Sequence, residues 1–259
     1  MALRIATWNV NSLRVRLDQV LAWLDAQRPD VLALQEIKLS DEQFPVAEIE
    51  EHGYHSVYAG QKTYNGVALL ARRRPEAVRR EVPGLDDPQK RFIAATIEGV
   101  RIVNLYVVNG QAVGSEKYAY KLRWLDAVHA YLVKEVEAGR PLVVLGDFNI
   151  APEDRDVYDP QAWRERILCS TPEREALARL LATGLEDTYR RLDTESGGYT
   201  WWDYRAAGFR RDHGMRIDLI LASRALADRC TRCTVDREPR RAERPSDHAP
   251  LIAEFSTAD

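Results

Sequence analysis

Short apolar runs recur along the chain, and in the first half most of them have the length and composition of a β-strand. Between the first two runs, Leu17, Val20, Leu21 and Leu24 have the i, i+3, i+4, i+7 spacing of an amphipathic helix, which we expect to pack against a sheet. The predicted strands lie at residues 3–8, 31–34, 54–58, 67–70, 77–82, 92–97 and 101–107.

Helical and strand signals alternate in the second half. Apolar residues repeat at helical spacing over residues 116–137, and Gly139 and Pro141 supply a stop signal. A strand follows at PLVVLGDFN, and the tetrapeptide STPE at residues 170–173 has the spacing of a capping box that opens a helix. Further strands are predicted at residues 216–221, 230–235 and 250–255, and the acidic, proline-punctuated segment 151–163 predicts a long loop.

Strand-rich halves joined by a long helix favour two sheets that lie face to face, with helices on their outer faces. The 259 residues are enough to bury a full core, and no Gly/Ser-rich linker interrupts them. We therefore expect a single α/β domain over residues 1–259, and we expect it to be monomeric.

Composition narrows the class of protein. The N-terminus has no basic region followed by an apolar stretch, and no window approaches the ~20 apolar residues of a membrane span, which predicts a cytoplasmic protein without a membrane partner. Three cysteines are a poor disulfide framework. Cys230 and Cys233 have zinc-site spacing, but no second ligand pair accompanies them, so we expect inert, structural thiols.

The formal net charge of −3 argues against non-specific coating of nucleic acid. Arginines nevertheless cluster near predicted loops, within residues 72–74, 205–216 and 237–244. Such clusters are consistent either with a local DNA-binding face or with ordinary solvated surface.

Polar and ionisable residues stand at or beside the ends of the apolar runs, where a rigid sheet edge can aim them at one cleft. They are Asn9, Glu36, Tyr106, Asp147, Asn149, Asp218, Asp247 and His248. Glu36, Asp247 and Asn9 offer the oxygen ligands suited to Mg²⁺, with Mn²⁺ as an alternative. The constellation predicts a metal-assisted phosphoryl hydrolase, although Glu36 taken alone could simply cap a strand.

The segment Gly146-Asp147-Phe148-Asn149 follows an apolar run, and its glycine allows the backbone to turn as two polar side chains are presented. Asp147 could orient or deprotonate water, or protonate the leaving oxygen, and Asn149 could donate to a phosphoryl oxygen. In isolation, a tetrapeptide of this kind is more often a plain turn.

Asp218 is the candidate carboxylate that would fix the ring of His248, which could then polarise phosphate or act as a base. Tyr106 could supply a phenol to the same phosphate. The alternatives are a buried histidine bonded to backbone and a tyrosine packed in the core. The aromatic segment that includes Trp201 is consistent with a wall for a sugar or a base, or with the core of a hairpin.

Longer segments are specific enough to indicate a family. ATWNVNSLR, LALQEIK, NGVALLAR, LYVVNG, VVLGDFNIAPED, TWWDYR, GMRIDLILAS and PSDHAPLIAEF occur in this order along the whole chain. On these segments the chain resembles the exonuclease III and AP-endonuclease family, within the endonuclease/exonuclease/phosphatase superfamily. The resemblance implies a DNase I-like four-layer α/β sandwich. It also implies hydrolysis of duplex DNA 5′ to abasic sites, with 3′ to 5′ exonuclease and 3′-phosphatase or phosphodiesterase activity.

The same resemblance implies roles for individual residues. The divalent metal would be bound by Glu36 and Asn9, with Asp247 nearby and with Lys38 and Asn11 around these ligands. Asp147 and Asn149 would flank the water and the scissile phosphate, and both are further candidate metal ligands, with Asp147 a candidate for holding a second metal. The implied substrate contacts are Tyr106 and Asn109 to phosphate, Trp201, Met215 and Ile217 around an abasic deoxyribose, and Arg216 beside them.

The chain also departs from the family pattern. Val108 stands where family members often have proline, Ala112 lies near where some relatives place an arginine that enters the DNA, and Met215 is a softer wall than an aromatic ring. A phosphoesterase for lipid or inositol phosphates and a non-catalytic DNA-end-binding module are the competing hypotheses. TWWDYR and GMRIDLI argue against the first, and the complete set of candidate ligands argues against the second.

Overall fold

Two six-stranded sheets form the centre of the computed structural model, which describes residues 2–256. The strands are β1 (Ala2–Asn9), β2 (Val31–Gln35), β3 (His55–Ala59), β4 (Val67–Ala71), β5 (Glu76–Arg79), β6 (Phe92–Ile97), β7 (Val100–Tyr106), β8 (Leu142–Asp147), β9 (Leu185–Asp187), β10 (Trp201–Trp202), β11 (Gly214–Met215), β12 (Asp218–Ser223), β13 (Cys230–Val235) and β14 (Leu251–Ser256). The α-helices are α1 (Leu13–Gln27), α2 (Val46–Glu51), α3 (Glu116–Glu137), α4 (Pro160–Trp163), α5 (Thr171–Ala182), α6 (Thr188–Leu192), α7 (Gly208–Arg211) and α8 (Arg224–Ala227).

The first sheet has the strand order β13-β14-β1-β2-β4-β3, and the second has the order β5-β6-β7-β8-β12-β9. Both sheets are mixed, because β1 runs parallel to β2 and β7 runs parallel to β8 while their other neighbours are antiparallel. Strands β10 and β11 form a separate two-stranded ribbon.

Strand alternation sorts the apolar residues into layers, because successive side chains point to opposite faces of a sheet. Ile5 of β1 and Leu145 of β8 belong to the core between the sheets. Trp8 of β1 packs in a second cluster with residues of α1 and α2, and Leu105 of β7 packs in a third with residues of α3 and α5. The expected four-layer sandwich of two mixed sheets flanked by helices is therefore confirmed.

Most predicted elements are present, and β6, α3 and β13 have the predicted bounds. The capping box of Ser170 and Glu173 opens α5 as expected. Two predictions were wrong. The predicted strand 77–82 is shorter than expected, since β5 ends at Arg79 and no pairing with β6 continues beyond that residue. The predicted loop 151–163 contains a 3-10 turn and α4, whose first turn is capped by the side chain of Asp159.

Several short elements have no counterpart in the sequence prediction, namely α2, β9, the β10–β11 ribbon, α6, α7 and α8. Each of them is too short to show a clear hydrophobic period. Across residues 2–256, no helix combines the length and the apolar character that a bilayer crossing requires.

The two cysteines of β13 both point into the core between the sheets. Residues three apart on a regular strand would face opposite sides, but a register shift between Cys230 and Arg232 turns both thiols inward. Burial raises the pKa of both thiols, so they stay protonated and poorly nucleophilic. This environment agrees with the expectation of structural cysteines.

Candidate active site

The candidate site lies at one end of the sandwich, where rows of inter-sheet core residues end in polar side chains. On β8 the row through Leu145 ends in Asp147, and on β12 the row through Ile220 ends in Asp218. Tyr106 of β7 and Asp218 of β12 both pair directly with Asp147 across neighbouring strands. Strand register therefore brings these residues together, as the sequence predicted.

Gly146 is the residue that admits this close approach of β7 and β8. Its φ is +136°, and a Cβ atom at this position would lie 1.9 Å from the carbonyl oxygen of Leu105. A side chain at residue 146 would therefore separate the strands immediately before Asp147.

Asn9 joins the two carboxylates at the centre of the site. Its Nδ2 donates to Oε1 of Glu36 and to Oδ2 of Asp147, each at 2.9 Å. Its Oδ1 accepts from the backbone N–H of Asn11 at 3.0 Å. In this arrangement the amide oxygen of Asn9 faces the backbone of Asn11, and metal binding by Asn9 stays a prediction.

Asp147, Asp218 and His248 form a buried cluster of three ionisable side chains. Nδ1 of His248 lies 2.8 Å from Oδ2 of Asp218, and its Nε2 lies 3.7 Å from Oδ2 of Asp147. Burial alone would lower the pKa of His248, but the carboxylates of Asp218 and Asp147 raise it to about 10. Burial raises the pKa of Asp147 to about 7, although the neighbouring His248 lowers it. At neutral pH the histidine is therefore an imidazolium, and Asp147 is poised to exchange a proton.

Asp247 does not join this cluster. Its Oδ1 accepts from Nδ2 of Asn11 and its Oδ2 accepts from Nε1 of Trp201, each at 3.0 Å. Lys38 donates to Oδ1 of Asn11 at 2.6 Å and lies 3.0 Å from Glu36. Both oxygens of Asp247 accept from neutral side chains at the rim of the site, and its role as a metal ligand stays a prediction.

Asn149 and Asn109 extend the site on the other side of Asp147. The backbone N–H of Asn149 donates to Oδ1 of Asp147 at 2.9 Å, and its Nδ2 donates to the carbonyl of Val107 at 3.0 Å and to Oδ2 of Asp147 at 3.3 Å. Nδ2 of Asn109 donates to Oδ1 of Asn149 at 3.1 Å. Asn109 is exposed, so its amide is open to a ligand in the cleft.

Tyr106 contributes its phenol at the same edge. Burial raises the pKa of Tyr106 well above its usual range, and Glu36 adds to the rise. The guanidinium of Arg91 lies over the ring, with its central carbon 4.6 Å from the ring centroid. Tyr106 is therefore a neutral hydroxyl that can donate a hydrogen bond.

Trp201, Met215 and Ile217 form an apolar wall beside the site. Arg216 lies between Met215 and Ile217 in sequence, but its side chain points away from theirs, into a pair of carboxylates. It is fully buried, its Nε donates to Asp156 at 2.6 Å, and its Nη1 lies 2.7 Å from Asp187. The expectation that Arg216 binds substrate is corrected, because its charge is used to join loops behind the wall.

Three buried residues that support the site were missed by sequence reasoning. Oγ1 of Thr200 accepts from the backbone N–H groups of Ile217 and Asp218, each at 3.1 Å. Oγ of Ser246 donates to the carbonyl of Asn9 at 2.6 Å and accepts from the N–H of His248. The third is Lys121, whose position on the apolar face of α3 was a signal visible in the sequence.

The residues present fit a divalent metal ion. Glu36, Asp147 and His248 each offer a ligand atom, and these atoms lie within 4.8 Å of one another. Carboxylate oxygens suit hard divalent cations, and the raised pKa of Asp147 indicates a site short of positive charge. A protonated imidazole has no lone pair to share, so the two carboxylates are the groups able to hold the ion.

Comparisons with known proteins agree with this geometry. The model of the endonuclease/exonuclease/phosphatase family matches residues 6–248. The chain is 40% identical over 266 residues to exodeoxyribonuclease III of Haemophilus influenzae, which covers 98% of this chain and 100% of that protein. It is 31% identical over 254 residues to an exodeoxyribonuclease of Bacillus subtilis, which covers 96% of this chain and 98% of that protein.

Solved structures of related enzymes are also similar to this chain over almost its whole length. A 3′ phosphatase from Neisseria, bound to a product DNA hairpin, is 50% identical with a TM-score of 0.97. An AP endonuclease from Archaeoglobus fulgidus is 41% identical with a TM-score of 0.95. Each match covers 98% of this chain and 100% of the other chain.

Proposed function

The chain belongs to the endonuclease/exonuclease/phosphatase family, and from that membership we propose that it is a divalent-metal-dependent nuclease of DNA repair. The family resemblance drawn from its sequence segments is thereby confirmed. Its substrate is duplex DNA, which it cleaves 5′ to abasic sites and from which it removes 3′ nucleotides and 3′-phosphate groups. Full-length similarity to exodeoxyribonucleases and to a DNA-bound 3′ phosphatase supports this substrate over inositol phosphates.

One observation carries the proposal: paired carboxylates, an imidazolium and exposed amide donors meet in a single cleft. We assign the metal to Glu36, with Mg²⁺ as the ion and Mn²⁺ as an alternative. When bound there, such an ion would polarise a phosphoryl oxygen and offset the charge that develops as the ester bond breaks.

Side chains of the protein have separate roles in the hydrolysis. Asp147 orients the attacking water and accepts its proton, since its carboxylate is buried in the cleft and is held there by Asn9 and by the backbone N–H of Asn149. His248, held by Asp218, keeps its charge and donates from Nε2 to a phosphoryl oxygen. Asn109 and Tyr106 supply further donors to the phosphate, while Asn149 gives its amide hydrogens to Val107 and Asp147 and so holds the Asp147 carboxylate in place.

The apolar wall has a separate role in this scheme. Trp201 is fixed by Asp247, while Met215 and Ile217 are buried behind it. We propose that Trp201 lines the pocket for a deoxyribose that has lost its base, supported by Met215 and Ile217 behind it, since an apolar wall can receive a sugar without competing hydrogen bonds.

The test compares a duplex with an abasic site, a duplex with a 3′-phosphate and a soluble inositol phosphate, with Mg²⁺ and with EDTA. Asp147→Asn and His248→Asn are expected to lower kcat on DNA by at least about 10²-fold with modest change in DNA affinity, because both residues act on the transition state. Asp126→Asn removes an exposed carboxylate, and His52→Asn breaks a surface histidine–aspartate pair. These matched controls should keep wild-type rates.

Three outcomes would overturn the proposal. The first is unchanged turnover in either active-site variant, and the second is turnover that persists in EDTA. The third is a preference of the wild-type protein for the inositol phosphate over both DNA substrates.

A further inference from the structure

Lys121 is a fully buried lysine on the inner face of α3. A lysine is almost never fully buried unless it is paired, because its ammonium group loses its hydration. Its partner is Glu173 of α5, which is also 0% exposed. Well-packed apolar residues usually stabilise a core at least as well as a buried ion pair does, so stability alone does not explain this pair.

The ammonium group has three donors, and each one has an acceptor. One donates to Oε1 of Glu173. The second donates to the backbone carbonyl of Asn149 at 2.6 Å, and the third to the backbone carbonyl of Asn109 at 3.2 Å. Lys121 thus connects a helix behind the site with the two loops that carry the active-site asparagines.

The position of the ammonium is itself fixed from both sides. Glu173 also accepts from the backbone N–H groups of Leu168 and Ser170, each at 3.1 Å, so its carboxylate cannot swing away. On the other side, a Cβ atom on Gly110 would lie 3.2 Å from Cδ of Lys121, which shows how closely the Asn109 loop packs on the lysine stem.

The backbone that Lys121 holds is the part of the site that needs support. Asn149 has a φ of +49°, a left-handed conformation that asparagine tolerates better than most non-glycine residues and that contacts from neighbouring segments help to maintain. Its side-chain oxygen accepts from Asn109, so the two amides move as a unit. A shift of either carbonyl would displace both amides in the cleft.

We propose that Lys121 is a positioning residue of the hydrolytic site, which holds Asn109 where it can donate to a phosphoryl oxygen and holds Asn149 where it orients Asp147. This inference rests on the proposed function and deepens it. Lys121 does not touch the substrate; it acts through the backbones of the two asparagines.

The chain contains a matched control. Arg101 of β7 forms a second buried ion pair with α3, at the other end of that helix, where its Nε lies 3.7 Å from Oε2 of Glu135. Its other hydrogen bonds go to the carbonyl of Ala77 and the hydroxyl of Tyr131, away from the site. Arg101→Met therefore removes a buried cation from the same helix contact without disturbing the asparagine loops.

The experiment measures kcat, KM and DNA affinity on a 3′-phosphate duplex, together with the thermal unfolding midpoint of each variant. Lys121→Met is expected to lower kcat by about 10- to 100-fold, since small displacements of catalytic donors have effects of this size, with little change in KM or affinity. Arg101→Met is expected to lose thermal stability but to keep kcat within about twofold of wild type.

A double variant separates positioning from simple stability. Lys121→Met leaves the Glu173 carboxylate buried without a partner, and Lys121→Met/Glu173→Gln removes that charge. The expected result is an unfolding midpoint that recovers while kcat stays low. If the double variant regains wild-type kcat, or if the single variant matches Arg101→Met, the positioning role is overturned.

If Lys121→Met does not fold, the kcat of the double variant tests the positioning role of Lys121. Failure of the proposal is distinguishable from failure of the proposed function. An active wild-type enzyme with unaffected Lys121 variants overturns only the positioning role, whereas a wild-type enzyme inactive on every DNA substrate overturns both.

Discussion

Single side chains decide how this site tolerates several carboxylates within a few ångströms. Asn9 places one amide nitrogen between Glu36 and Asp147, and His248 brings a positive charge to Asp147. Each of these donors offsets repulsion that would otherwise open the cleft. The burial of Asp147 nevertheless leaves its charged form disfavoured until further positive charge arrives.

Because negative charge exceeds positive charge around the buried Asp147, the stability of the metal-free protein is expected to depend on pH. The pKa of Asp147 in the folded protein, about 7, is above its ordinary value, so the folded state binds this proton more tightly than the unfolded chain does. The free energy of unfolding therefore falls as pH rises from about 4 to about 7. His248, whose pKa is raised from 6.5 to about 10, loses its stabilising contribution in the same direction, over the next pH interval.

Asp147→Asn should consequently make the EDTA-treated protein more stable at pH 8 by about 1–3 kcal/mol, with a smaller gain at pH 5. Urea unfolding at both pH values measures this difference. Asp126→Asn, which changes an exposed carboxylate, should show no such pH dependence. Equal stabilities of wild type and Asp147→Asn at pH 8 would contradict the raised pKa.

At the scale of elements, strand alternation and register determine which side chains reach the cleft. Met215 and Ile217 belong to the apolar wall, whereas the side chain of Arg216 between them is directed into a buried ion pair. Asp147 reaches its neighbours because β7 and β8 approach closely at Gly146. The function of the site thus depends on backbone contacts between strands, although the groups in these contacts take no part in the reaction.

Gly146→Ala is expected to destabilise the protein by about 3 kcal/mol or more, because the new methyl group would collide with the carbonyl of Leu105 and the backbone would be strained. Gly84→Ala is the control, since Gly84 also has a positive φ but a Cβ there would meet nothing within 4 Å. It should cost only about 1 kcal/mol. Chemical denaturation measures both values, and equal losses would show that the contact with β7 is unimportant.

At the scale of the whole molecule, a net charge of −3 has to be reconciled with a polyanionic substrate. Arg210 and Arg211 are exposed on α7, which lies in the connection between the two strands of the β10–β11 ribbon. A local basic surface can attract DNA while the rest of the molecule stays acidic. Whole-chain charge is therefore a poor guide to binding in this protein.

Arg210→Ala and Arg211→Ala should each weaken DNA binding and flatten its salt dependence, with the slope of log K against log salt falling by about 0.9 for each lost phosphate contact. Arg224→Ala is the matched control, because Arg224 is 83% exposed but follows the end of β12 that is remote from Asp218. Titrations at several salt concentrations measure the slopes. An unaltered slope for both α7 variants would remove them from the DNA-binding face.

The sequence by itself determined much of this protein, because hydrophobic periodicity and strand-end polarity are local properties. It predicted β6, α3 and β13 with their bounds, placed Asp147 and His248 in one cleft, and indicated the family from segments spread along the chain. Short elements such as α7 escaped prediction because they are stabilised by contacts with distant segments rather than by a pattern of their own.

Only the tertiary structure decided which way each polar group points. It turned the oxygen of Asn9 away from the carboxylates, bonded both oxygens of Asp247, buried Arg216 and placed Lys121 under two loops. The physical reason is that a hydrogen bond depends on distance and angle between atoms far apart in sequence. Those quantities are set when the two sheets and their helices pack together, and residue types and spacings alone do not specify them.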